Sequence, residues 1–306
     1  MFNKITSVTV LVFLFLSIQV TAATRSVLDA NGQSIEVPEQ PLRVIVLSEV
    51  YLDIALALGI TPIGAVNGRG QQTLPRYLQK EVTQPIQVVG DLNRPNLELI
   101  LELEPDLILT SPNRPELLAL LNEIAPTVLT FNYGEPWKKT LTRTANILNK
   151  QDQAIDFMGR YQKAVNHSKS LIGNKLGQTI SVVRWNPKGP AYMFKDSFAS
   201  LVIADLGMRR PPRQQNPGHT HSLSLSLEAL DILDADWMVI GTLSTSGEAV
   251  DAMHHAETMP AYKQLNAIKS NRYRAVDGSL WTSVGGPLAA LWVMNDIVEL
   301  LNKNDK

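Results

Sequence analysis

The sequence contains no cysteine. That excludes a disulfide scaffold, a thiolate metal site, a cysteine nucleophile and a lipid attached to an N-terminal cysteine. Charge of one sign is also missing: 28 Lys+Arg face 29 Asp+Glu, so bulk attraction to nucleic acid is not expected. Charged residues make up only 19% against 44% hydrophobic, which excludes a disordered chain. The nucleotide and hydrolase signatures are absent as well. No Gly-x-Ser-x-Gly elbow, phosphate loop or Gly-x-Gly-x-x-Gly after a strand occurs, and the glycine-rich run 64–70 fits none of them. An enzyme is therefore not expected.

Residues 1–22 have the order of a secretory leader: one positive charge at Lys4, an apolar run over 8–18, then Val20-Thr21-Ala22 before the cleavage point. The apolar run is short of the roughly 20 residues a membrane-spanning helix needs. The rest of the chain is expected to work in the periplasm as an unanchored protein.

From residue 23 onward, β runs alternate with helical patterns. Strands are expected near 43–47, 62–66, 87–89, 106–110, 127–131, 180–184, 237–241 and 273–276. Helices are expected near 49–58, 97–103, 116–124, 198–206 and 288–301. This alternation points to α/β layers with mainly parallel sheets. A long stretch without strand signal, 136–175, breaks near 149–152 and continues as a helix that stops at Gly173-Asn174. Its spacing places Ile155, Met158, Tyr161, Val165 and Leu171 on one side. The expected organisation is a leader over 1–22, one α/β lobe over 23–150, a single connector helix over 151–174 and a second, similar lobe over 175–306. An internal echo supports two related lobes. The segment from Asn96 to Leu109 lies 130 residues before that from Ser226 to Val239, and the pairs Leu97/Leu227, Glu98/Glu228, Leu103/Leu233 and Asp106/Asp236 are identical. Each segment opens with a helix-capping residue and an early glutamate.

These residues, in this order, resemble a known family. Pro41-Leu-Arg-Val-Ile-Val-Leu47, Leu58-Gly-Ile-Thr-Pro-Ile-Gly-Ala65, Val89-Gly90 and Pro95-Asn-Leu-Glu98 carry the resemblance in the first half. Asp196-Ser-Phe198, Arg210-Pro-Pro212 with Gln214, Ser226-Leu-Glu228 and Val276-Asp277 with Trp281 carry it in the second. The chain is similar to the periplasmic substrate-binding proteins of ABC importers for iron–siderophore complexes and cobalamin, and most to those that bind ferric siderophores. The resemblance implies two lobes on one stiff helix, with the ligand in a cleft between them. It also implies delivery to an inner-membrane permease dimer without covalent chemistry. The implied cargo is a chelated Fe(III) complex, of hydroxamate or citrate/carboxylate type, with no intrinsic cofactor and a monomeric carrier. Ferric catecholate, haem and cobalamin are the alternatives.

In α/β lobes the loops after strand C-termini form the cleft rim. That rule selects Ser48, Glu49 and Tyr51, Asn67 and Arg69, Asn93 and Arg94, Asn113 and Arg114, Tyr133, Arg184 and Trp185, and Trp281 to Ser283. Arg184 ranks first. A charge ending an apolar strand needs a partner, and the guanidinium fork matches anionic oxygens; the alternative is an intralobe salt bridge. The resemblance implies a ligand-contacting arginine there and an aromatic cleft wall at Trp281, against ordinary core packing. Arg69 and Arg94 are further anion donors or merely solvated. Leu92 stands where several hydroxamate and citrate binders carry arginine. Tyr192 and Phe194 are expected to be core. His219 and His221 could complete an iron sphere or lie in a solvated loop. The absence of histidine from the first lobe argues against a bare metal-ion site. Glu98 and Glu228 are, by the resemblance, the permease-docking pair; the other reading is stabilisation of helix N-termini.

Overall fold

A computed structural model describes residues 23–303 except 112, 113 and 133. The leader-like segment 1–22 and the rim candidates Asn113 and Tyr133 lie outside the described residues. A hairpin, β1 (Thr24–Leu28) and β2 (Ser34–Pro38), opens the fold. The first lobe then runs β3 (Val44–Val46), α1 (Glu49–Ala57), β4 (Gly64–Ala65), β5 (Gln87–Val88), β6 (Gly90–Asp91), β7 (Arg94–Pro95), α2 (Leu97–Glu102), β8 (Leu107–Thr110), α3 (Pro115–Ile124) and β9 (Thr127–Leu129). Helices α4 (Trp137–Ile147) and α5 (Gln151–Ile172) lead to the second lobe. That lobe has β10 (Ile180–Asn186), β11 (Gly189–Tyr192), α6 (Phe198–Asp205), β12 (Trp237–Thr242), α7 (Glu248–Glu257), α8 (Pro260–Lys263), α9 (Asn266–Lys269), β13 (Tyr273–Asp277), α10 (Gly278–Trp281) and α11 (Pro287–Leu301).

Two lobes with mainly parallel sheets flank the long helix, as expected. The first sheet is all parallel, in the order β5-β4-β3-β8-β9. The second has the order β11-β10-β12-β13, parallel except for the β10–β11 hairpin. Val44–Val46 and Leu107–Thr110 are buried throughout, as strands covered on both faces must be. The 130-residue echo recurs in three dimensions, since each unit feeds the strand next to its sheet's founding strand. It differs in detail. Asn96 caps α2 by accepting from the Leu99 N–H, whereas residues 227–233 form only 3₁₀ turns. There Ser226 makes no side-chain cap to the turn's first N–H groups.

The connector buries Tyr161 and Val165 as expected and packs Met158 against the core, but the stripe is shifted at its ends. Ala154, Phe157, Tyr161, Val165, Ser168 and Ile172 face inward, while Ile155 is 69% and Leu171 47% exposed. Three- and four-residue steps from Ala154 to Ile172 follow one helix face, and positions 155 and 171 lie about a quarter turn off it. The Tyr161 hydroxyl donates to Asp205 at 2.7 Å, and Lys138 pairs with the same carboxylate at 2.7 Å, so α4, α5 and α6 meet at one acid.

Each lobe has a smaller apolar cluster of its own, but the largest core is shared by both. The main apolar cluster runs from Val44, Leu52 and Leu109, through α5, to Val182, Val202 and Val293. Helix α11 closes it by packing on α1, α4, α5 and α6. Its N-terminus is held from the other lobe. Asp53 of α1, fully buried, accepts from the backbone N–H groups of Leu288 at 2.7 Å and Ala289 at 2.9 Å. Gly286 leaves space for it, since a Cβ there would lie 2.6 Å from Asp53 Oδ1. Burial pushes the Asp53 carboxyl up to about 7 against these N–H donors. Asp53→Ala leaves two helix-end donors buried and unpaired. We expect a stability loss of about 2–4 kcal/mol in urea unfolding, with Asp53→Asn losing less because the amide oxygen still accepts.

Candidate functional site

The cleft is a cavity of about 590 Å³ between the lobes. Strand ends and the loops after them build it, in keeping with the rule for open α/β sheets. The first lobe supplies Ser48 and Glu49 after β3, residues 66–71 after β4, 91–94 in the β6–β7 turn, and Ser111 after β8. The second supplies Arg184 and Met193 from the β10–β11 hairpin, His219 to His221, and Thr282 to Val284 after α10.

Arg184, Arg69, Arg94, Ser283, His219 and His221 are brought together here. Arg184 is 7% exposed; its Nε donates to the Thr282 hydroxyl at 3.0 Å and its Nη2 to the Thr282 carbonyl. No carboxylate pairs with it among the described residues. Burial and then the charge of Arg69 push its guanidinium down to about 10. Arg94 sits on the rim, 85% exposed, 3.5 Å from Asp91. His219 packs flat on Gly134 of the first lobe, with no room between them for a Cβ. Nδ1 of His219 lies 3.2 Å from the Asp196 carbonyl and that of His221 2.7 Å from the Ser222 carbonyl. Both must donate there, which leaves each Nε2 as the free ring nitrogen. Among the described residues no group of three or more His, Asp or Glu gathers as for a metal ion.

Three expected aromatic walls are not in the cleft. Trp281 is fully buried in the main core, and its indole N–H donates to Asp296 of α11 at 2.8 Å. Trp185 packs edge-on against Tyr262 in the second lobe's own core. Side chains alternate along a strand, so Arg184 and its successor cannot share a face. Tyr51 lies beneath the floor with its hydroxyl 3.0 Å from Ser111, and Ser111 lines the cavity in its place. The same alternation buries Tyr192 with Trp185 and turns Met193 toward the cleft. Met193, Gln71, Phe131 and Val284 were not found from sequence. The period-2 pattern of β11 carried a usable signal for Met193; the others depend on loop paths.

A clasp joins the lobes at one end of the cleft. Arg76 makes a bidentate pair with Asp277, at 3.0 and 2.7 Å, and donates to the Leu243 carbonyl at 3.1 Å. Gln71 donates to Ser279 at 3.2 Å, and Ser244 to the Gly70 carbonyl at 3.2 Å. The loop bearing Arg69 is thus pinned to the opposite lobe.

The periplasmic binding protein family model matches residues 44–279. The chain belongs to that family. It is a family of binding proteins rather than enzymes. The chain is 33% identical over 286 residues to the probable siderophore-binding lipoprotein YfiY of Bacillus subtilis, covering 90% of this chain and 87% of that one. It is 30% identical over 277 residues to the achromobactin-binding periplasmic protein of Dickeya dadantii, covering 89% of each. Among solved structures, Staphylococcus aureus SirA complexed with staphyloferrin B superposes with a TM-score of 0.78 at 26% identity, over 91% of this chain and 99% of that one.

Burial pushes the Asp277 carboxyl up, but the bonds from Arg76 and Ser279 outweigh it and hold the group below the usual carboxylate range. The clasp's contribution is therefore present above the unfolded carboxylate pKa and fades as pH falls through the depressed folded value. For a half-exposed bidentate pair, Arg76→Ala is expected to cost about 1 kcal/mol near neutrality. Amide hydrogen exchange in residues 68–78 should speed up by about fivefold, and the difference from wild type should shrink in acid.

Proposed function

We propose that this protein captures a ferric siderophore in the interlobe cleft and delivers it to an inner-membrane ABC permease. One observation carries the reading. Three arginines, Arg69, Arg94 and Arg184, line a cavity of about 590 Å³, and the buried Arg184 has no carboxylate partner among the described residues. A buried cation left unpaired is costly unless a ligand supplies the anion. The cavity suits a drug-sized ligand, and its polar groups converge from both lobes. Those donors suit the negatively charged oxygens of a carboxylate or hydroxamate chelate better than an uncharged cobalamin. The relatives named as siderophore-binding support a siderophore cargo. The carrier is proposed to be periplasmic, on the strength of the leader-like segment. YfiY is named a lipoprotein, but this sequence carries no cysteine.

Titration of intrinsic tryptophan fluorescence with ferric citrate, a ferric trihydroxamate, a ferric tricatecholate, haemin and cobalamin tests the reading. Saturable binding of ferric citrate or the trihydroxamate is expected, and no response to any iron chelate would sink it. Arg184→Ala should weaken that binding by about 10- to 100-fold, the effect of losing one charge-assisted contact.

Glu98 and Glu228 are proposed as the docking pair. Both are exposed on the first turn after their capping residues, at matching positions in the two echo units. Glu98→Arg combined with Glu228→Arg should leave ligand affinity unchanged and abolish uptake in cells. Uptake that survives the double reversal overturns the assignment.

A further inference from the structure

A carboxylate lies inside the anion-binding cleft. Glu49, the first residue of α1, lines the cavity beside Arg69 and Ser283 and is 7% exposed. One carboxyl oxygen accepts from the Arg69 backbone N–H, and the other from the Ser283 hydroxyl at 3.1 Å. Neither donor is a cationic side chain, and no ion pair to Glu49 occurs among the described residues. The charged and titratable groups facing it are Arg69 from the loop after β4, Asp277 and Arg184 from the second lobe, and the buried Tyr77 phenol. Burial holds its carboxyl above the ordinary range; the bonds from Arg69 and Ser283 and the Arg69 charge only partly offset this.

We propose that Glu49 is a ligand-contact residue that takes up a proton when an anionic chelate enters the cleft, so that capture is coupled to protonation. This rests on the reading of the cleft as an anion site. An anion seated between Arg69 and Arg184 stands next to Glu49 in a water-poor space, where two like charges disfavour one another. The observed bonds survive neutralisation. The unprotonated oxygen still accepts from the Arg69 N–H, and the acid O–H can donate to the Ser283 hydroxyl or to a ligand oxygen. A lysine or arginine partner would have kept the group ionised; a backbone N–H and a hydroxyl do not. Protonation of the acid makes the cleft, already lined by Arg69, Arg94 and Arg184, more positive as the ligand arrives. Affinity should then fall as pH rises through the window between the Glu49 pKa in the free protein and its higher value in the complex. The slope is at most about tenfold per pH unit, the limit for one proton.

Calorimetric titration of the full chain with ferric citrate, or with the anionic ferric tricatecholate where that chelate binds instead, counts the protons when repeated in buffers of different ionisation enthalpy. Glu49→Gln keeps the shape and both hydrogen bonds while removing the titration. Wild type should take up more protons than Glu49→Gln, by as much as about one, and the variant's affinity should vary less with pH. An equal proton count in the two proteins overturns the inference. If circular dichroism shows Glu49→Gln unfolded, infrared difference spectra of ¹³C-labelled wild type with unlabelled chelate decide instead. A new protein carboxylic-acid band on binding supports the inference, and its absence overturns it. Binding without Glu49-dependent uptake sinks this inference alone, whereas no saturation by either chelate sinks the anionic-chelate reading and this inference with it.

Discussion

The fold depends on one carboxylate crossing from the first lobe to the second. Asp53 is inaccessible to solvent and spends both oxygens on the first N–H groups of α11. A helix N-terminus carries unpaired donors and partial positive charge, so a buried acid there meets both needs at once. The same bond registers the binding surface. One turn before Asp53, Ser48 and Glu49 form part of the cleft wall, and a few residues before Leu288, Thr282 to Val284 form another part. Fixing Asp53 on α11 fixes these two walls relative to each other. The Glu49–Ser283 bond and the Arg76–Asp277 pair then add to a geometry already set by the core.

Two buried arginines show why burial alone does not identify a ligand donor. Arg210 is as deep as Arg184, and burial pushes its guanidinium down to about 9. Its Nη1 and Nη2, however, donate to the Ile180 and Met193 carbonyls and to Gln214, so it serves as a spacer that holds β10, β11 and the turn at 212–214 together, with only its buried Nε unpartnered. Arg184 gives its known bonds to Thr282 alone and opens on the cavity. Near-neutral total charge thus coexists with a locally cationic cleft.

The architecture was legible because it depends on periodicity. Buried runs such as 107–109 and 237–240 are apolar at every position, and the long gap without strand signal marks the connector. The arginines and serines of the cleft were legible because strand-end positions are rim positions. The aromatic walls were misplaced because a tryptophan one residue from a rim residue falls on the opposite face of a strand, or under the next helix. The ends of the connector stripe were misplaced for a related reason. Alanine and serine at 154 and 168 belong to the buried face but carry little hydrophobic signal, while Ile155 draws attention and lies outside. The hairpin 24–38 and the short helices 248–269 were missed because brief polar segments give weak patterns.

Helix α11 is the last helix among the described residues and yet a component of the core that the first lobe shares. A chain made or threaded N-terminus first therefore cannot finish either lobe until residues 287–301 arrive. Until then, Asp53 has no helix end to cap and the apolar faces of α1 and α5 have no cover. The shared core closes late, through contacts that span nearly the full sequence, whereas each lobe's smaller cluster is built without α11. The cleft is accordingly a property of the completed polypeptide, and neither lobe carries a working part of it in advance.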